Sequence, residues 1–165
     1  MNITLRAMEP EDLELLYQIE NDPEVWNVGA TNVPYSRWHL RRFIEAATDD
    51  IYTDGEVRLI IDTDRGVAGI VDLINFEPRH QRAEIGIIVR NEFRNQGIAS
   101  EALLKLANHS KRIFHLHQLY AIVSVENHPS VALFEKMGYK KSAHLKDWLY
   151  DGQNYQDAEI FQIFL

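Results

Sequence analysis

The chain has 165 residues, 45% of them hydrophobic and 25% charged, enough to bury a sizeable core in a globular protein. Its formal net charge of −8 argues against a nucleic-acid partner, which calls for a basic face, and is compatible with a cationic amine as ligand. The absence of cysteine excludes disulfides, thiolate metal sites and a cysteine nucleophile, and no apolar run approaches the roughly 20 residues that span a bilayer.

The first residues, MNITLRAMEPED, lack an apolar signal core behind a basic start, so a cytoplasmic location is expected. Ile3–Arg6 reads as a short strand. Pro10-Glu11-Asp12 opens a helix with Leu13, Leu16 and Ile19 as its buried stripe, and Asn21-Asp22-Pro23 breaks it. Val25–Val33 has no clear period and reads as a loop or short helical turn. A second helix runs from about Tyr35 to Ala47 with Ser36 as N-cap. Thr48–Gly55 is a polar connection.

Strands at Val57–Ile61 and Val67–Asn75 flank a tight turn at Asp62–Gly66. Ala83–Val89 is a central strand. A polar turn follows, then a long helix with Ala99, Ala102, Leu103, Leu106 and Ile113 on one face. Leu119–Ser124 is another apolar strand, and Pro129–Met137 a short helix that Gly138 terminates. Lys140–Tyr150 and Tyr155–Phe164 form a hairpin around Asp151-Gly152. No repeat, low-complexity segment or linker interrupts the chain, so a single domain over 1–165 is expected.

A strand that turns directly into a helix leaves several N–H groups of the turn and first helical turn without intrahelical partners. The helix dipole adds partial positive charge there, and the junction at Arg94–Ala99, RNQGIA, becomes an anion site made of main chain. At Gly97 a Cβ would hold a phosphate away from that backbone.

The spacing Arg94-x-x-Gly97-x-Ala99 resembles the (Q/R)-x-x-G-x-(G/A) signature of the GNAT N-acetyltransferases, which bind acetyl-coenzyme A. The likeness extends through Gly69–Leu73 and His80–Gly86. It continues in Asn127–Tyr139, similar to N-x-x-(A/S)-x-x-L-Y-x-K-x-G-F, and in the tail Tyr150–Asp157. It is nearest the branch that holds spermidine/spermine acetyltransferases and the alanine acetyltransferases of ribosomal-protein N-termini. The resemblance implies the GNAT fold, an α+β (α/β) architecture with a mixed sheet of about six to seven strands flanked by about four helices.

It also implies roles. Arg94, Asn95, Gln96, Gly97, Ile98, Ala99 and Ser100 would hold the pyrophosphate of acetyl-coenzyme A. Ile88 and Val89 would receive the pantetheine arm through main-chain bonds, and one such N–H near the thioester could polarise it. Asn127, Ser130, Phe134 and Lys136 would add cofactor contacts, although Asn127 also suits an N-cap and Lys136 a solvated surface position. Glu84 matches a glutamate that borders the acceptor site in the polyamine branch. There it would attract an ammonium and help remove its proton; alternatively it pairs with Arg82 or another base. Trp26, Tyr35 and His80 would help to line the acceptor pocket.

The chain departs from the family at Phe134, where many members carry a tyrosine that protonates the departing thiolate. Tyr139, His128 and an ordered water are the alternative donors. Arg37, Arg41 and Arg42 stand where polyamine enzymes carry extra acids. His109, His115 and His117 have no acidic ligand at a telling spacing, so no metal is expected.

Two functions follow. The first is acetyl transfer from acetyl-coenzyme A to a primary amine, of a small polyamine-like molecule or a protein N-terminus, by direct attack. The second is an acyl-coenzyme A sensor or interaction module on the same fold. Family members are often homodimers, and neither a nucleic-acid nor a membrane partner is expected.

Overall fold

The computed structural model describes residues 2–26 and 34–165, and their strands form one sheet. β1 (Ile3–Ala7), β2 (Val57–Thr63), β3 (Gly66–Glu77), β4 (Arg82–Val89), β5 (Gln118–Ser124), β6 (Lys140–Tyr150) and β7 (Tyr155–Phe164) lie in the order β1-β2-β3-β4-β5-β7-β6. The α-helices among the described residues are α1 (Leu13–Glu20), α2 (Pro23–Trp26), α3 (Arg37–Ala46), α4 (Ile51–Asp54), α5 (Ile98–Arg112) and α6 (His128–Lys136). Neighbouring strands run antiparallel except β4 and β5, whose parallel pairing needs the long crossover that α5 supplies. No described helix is long and apolar enough to cross a membrane.

The chain divides into two compact units, residues 8–48 and residues 1–7 with 49–165. In the larger unit, strand alternation sends Ala83 and Ile85 of β4, Leu119, Ala121 and Val123 of β5 and Phe161 of β7 to one face of the sheet. Ala102, Leu103 and Leu106 of α5 and Phe134 of α6 join the same buried cluster. Their helical spacing makes the stripe that packs there. Leu106 is wholly buried, so its truncation to alanine would cost about 2–5 kcal/mol.

In the smaller unit α1 packs on α3. Arg37 holds Glu14 by two bonds at 2.8 and 3.0 Å and lies 3.8 Å over the Tyr17 ring. Asn21 both donates to Tyr35 O and accepts from Tyr35 N–H, which fixes the chain ahead of α3. Ser36 caps α3, its Oγ accepting from His39 N–H at 3.0 Å.

Three boundaries differ from expectation. The helix expected from Pro10 begins with a 3-10 turn at Pro10–Asp12 before α1. Of the expected loop over Val25–Val33, the first part ends α2, and residues 27–33 lie outside the described residues. The polar connection at Thr48–Gly55 contains α4, because Asp50 caps Tyr52 N–H, Gly55 closes the turn in the left-handed region, and Ile51 is buried. Four residues are too few to show a helical period.

Candidate active site

The site is built where the sheet comes apart. β4 pairs with β5 only through Arg82–Gln118, Ala83–Leu119 and Glu84–Tyr120. Beyond Glu84 the strands diverge, while β4 continues to pair with β3 as far as Val89. Residues 85–89 therefore keep one bonded edge and present the other to the gap. Arg90 N–H donates to Ala68 O at 2.8 Å, and alternation from that bond turns the main-chain groups of Ile88 toward β3. Those of Ile87 and Val89 face the gap. This corrects the sequence expectation by one residue: Ile87 and Val89, not Ile88, offer main chain to an added segment. Gly69 lets β3 lie this close, since a Cβ there would overlap the main-chain oxygen of Ile88.

The open edge runs into a 3-10 turn at Asn91–Phe93 and then the junction with α5. Asn95 and Gly97 both adopt left-handed φ, at 59° and 80°. No side chain caps α5, and its first helical bond is Glu101 N–H to Gly97 O at 3.1 Å. Among the described residues, the N–H groups of Gly97, Ile98, Ala99 and Ser100 meet no protein acceptor. Nothing lies within 4 Å of a Cβ built at Gly97. Successive free donors, the positive end of a 15-residue helix and an unobstructed approach fit a diphosphate. The gap-facing edge of β4 fits an extended, amide-bearing arm.

Arg94 plays a different part from that expected. Its N–H is engaged with Asn91 O at 3.2 Å, and its Nε donates to Val89 O at 2.9 Å, bracing the turn. Gln96 Nε2 donates to Glu92 O at 2.9 Å in the same way. Ile98 sends its side chain into the core, so its contribution to an anion is main chain alone.

Glu84 alternates with Ala83 and Ile85, so its carboxylate emerges on the face of the sheet opposite the core. It forms no ion pair with Arg82 or any other described base. Its Oε2 instead accepts from Asn75 Nδ2 at 2.7 Å. Asn75 reaches it from a bulge in β3, where the register passes from Ile74–Glu84 to Glu77–Arg82 and Asn75 takes φ 49°. Tyr120, paired with Glu84 on the same face, has its hydroxyl pKa raised by burial and then by the charge of Glu84. The phenol thus keeps its proton beside the carboxylate. Neither Asn75 nor Tyr120 is marked by a motif in the sequence; the β3 bulge and the β4–β5 pairing bring them to Glu84.

At α6, Asn127 is a cap: its Oδ1 accepts from Ser130 N–H at 3.3 Å. Lys136 is exposed at the last turn. Phe134, expected at the cofactor, is only 3% exposed. It packs edge-on to Tyr139, with ring centroids 5.0 Å apart, and stacks on Phe161. The structure thus corrects its role from ligand contact to core. Tyr139 also packs there, its hydroxyl buried without a hydrogen-bond partner and its pKa driven far up by desolvation. Such a phenol is a poor proton source. His80 is exposed in the turn between β3 and β4. Tyr35 stacks on His39 in the smaller unit, and Trp26 ends α2 with its side chain outside the described residues.

Residues 2–140 match the family model of the acetyltransferase (GNAT) domain. The chain is 28% identical to the spermidine N(1)-acetyltransferase of Vibrio cholerae serotype O1, over 98% of its own length and 92% of that protein. With the spermidine N(1)-acetyltransferase of Escherichia coli K12 it shares 27% identity over 99% and 86%. The crystal structure of the Vibrio cholerae spermidine N-acetyltransferase in complex with CoA and spermine is similar at a TM-score of 0.87, covering 98% of this chain and 95% of that one.

Proposed function

This chain belongs to the GNAT acetyltransferase family, and on that premise we propose that it is a cytoplasmic N-acetyltransferase that acts directly on the primary amine of a small, polyamine-like cation. The observation that carries this proposal is the parting of β4 from β5 immediately past Glu84. It sets a carboxylate at the head of an open strand edge whose far end is an anion-binding helix start. The family's cosubstrate, acetyl-coenzyme A, supplies the acetyl group as an activated thioester when bound.

In this assignment the N–H groups of Gly97–Ser100 hold the diphosphate, and the main chain of Ile87 and Val89 holds the arm. Glu84 attracts the ammonium and takes its proton, directly or through a water, because a protonated amine has no lone pair to donate. Asn75 keeps one carboxylate oxygen engaged, which leaves the other to face the amine. Trp26, Tyr35 and His80 are proposed to contribute to the acceptor side. The spermidine-directed relatives and the net charge of −8 support a cationic acceptor.

The test is coenzyme A release measured against polyamines, diamines and peptides with free N-termini. Turnover on polyamines above the others is expected, and preference for peptides would move the acceptor to protein N-termini. Glu84→Gln should lower kcat by about 10²–10⁴ while coenzyme A still binds. Coenzyme A binding with no turnover on any amine, together with an inert Glu84→Gln, would favour the sensor.

A further inference from the structure

Arg65 lies in the tight turn between β2 and β3, with its main chain fixed by Thr63. Thr63 Oγ1 accepts from Arg65 N–H at 3.0 Å and donates to Gly66 O at 2.7 Å. From there the side chain reaches the turn that precedes α5. Arg65 Nη1 donates to Gln96 Oε1 at 3.0 Å, and the guanidinium carbon stands 5.2 Å from the centroid of the buried Phe93 ring. Gln96 is itself tied back to Glu92 O, so it holds the guanidinium one residue ahead of Gly97.

This tether is neutral. The neighbouring Arg90 also lies near Phe93, but it is engaged with Val67 O and with the Glu92 carboxylate at 2.7 Å. Arg65 has no carboxylate within 4.0 Å among the described residues, in a chain with 25 acidic residues against 17 basic ones. A guanidinium has five N–H donors, and one bond to an amide leaves the planar fork open for bidentate contact. The Phe93 ring and the Gln96 amide contact the guanidinium from two sides and bias it toward the turn before α5.

The geometry points to Arg65 as an anion-binding residue for the phosphate-bearing end of the cosubstrate, delivered from the β2–β3 turn and not from the main-chain turn at Gly97. This rests on the acetyl-coenzyme A assignment above and adds to it a side chain that reads phosphate charge.

Calorimetry with coenzyme A should show Arg65→Ala binding about three- to fivefold more weakly than the unaltered protein, the scale of an exposed ion pair. The difference should shrink at high salt. Arg65→Lys should recover part of it, since it restores charge but not the fork. With acetylpantetheine, which has no phosphate, kcat/KM should be equal for the unaltered protein and Arg65→Ala. Loss of the effect with 3′-dephospho-coenzyme A would assign the contact to the 3′-phosphate, and its persistence to the diphosphate; both support the inference. Unchanged coenzyme A affinity in Arg65→Ala overturns it. So does an equal loss with acetylpantetheine, which would mark Arg65 as a brace for the turn. A protein in which even the unaltered chain gives no heat with coenzyme A would instead overturn the cosubstrate assignment itself.

Discussion

The helices α5 and α6 both begin where a strand ends, and each leaves orphan N–H groups at its start. At α6 the chain supplies its own acceptor: Asn127 Oδ1 takes the N–H of Ser130, and Pro129 removes another donor. At α5 it supplies none. Gly97 occupies the N-cap position with φ 80°, has no side chain, and opens onto unmet donors from Gly97 to Ser100. A start closed by its own side chain has that donor met within the chain, whereas one held open by glycine leaves its donors for an acceptor from outside, the part proposed for it above. Ligand contacts are expected from the sequence at both starts, and the two differ in how many of their N–H groups the chain itself meets.

The sharpest way to break this contrast is Gly97→Val. A β-branched residue at that φ carries a strain of about 1–3 kcal/mol, and its side chain would stand where the anion approaches. Coenzyme A affinity by calorimetry should fall at least about tenfold, a difference of about 1.4 kcal/mol. Unchanged affinity would make the open turn an accident of capping. Asn127→Ala should behave oppositely: urea unfolding should show a loss of about 1 kcal/mol, with far less change in coenzyme A affinity. If its affinity dropped as far as that of Gly97→Val, the distinction between the two helix starts would disappear.

The smallest effect concerns a third way of meeting a main-chain donor. The N–H of Asp147, in the bulge of β6, donates to Asp157 Oδ1 at 2.8 Å, while His144 Nε2 lies 2.7 Å from Oδ2. That N–H and then His144 hold the Asp157 carboxyl below its usual range. A depressed carboxylate stabilises the fold above its unfolded pKa, and the contribution is lost as pH falls through the folded pKa. The protection of the Asp147 amide, the slowing of its exchange relative to that of an unfolded chain at the same pH, should therefore fall in acid, and Asp157→Asn should flatten that dependence. An acid response identical in Asp157→Asn would assign it elsewhere.

Most of the fold was legible because its elements are long and punctuated. The final hairpin needed only Asp151-Gly152 between alternating strands, and α5 only its apolar stripe and the preceding glycine. What escaped was smaller than the period of the pattern. One extra residue in β3 carries Asn75 to Glu84, and no local preference announces a bulge there. The main-chain direction of Ile87 against Ile88 is equally silent, because apolar side chains stand on both faces of β4. Tyr120 and Arg65 find their partners across 36 and 31 positions, which only the assembled sheet brings together. Phe134 was visible as a departure from the family, but its place against Tyr139 and Phe161 depends on three elements at once.

Gly69 and the three rungs shared by β4 and β5 also bear on mechanics. The four strands on one flank and the three on the other are riveted at one end only, and from Ile85 onward no ladder joins them. A molecule seated along that seam, as proposed for the cosubstrate's arm, would replace missing rungs with its own amides. It would stiffen the junction as well as occupy it, so occupancy and rigidity rise together.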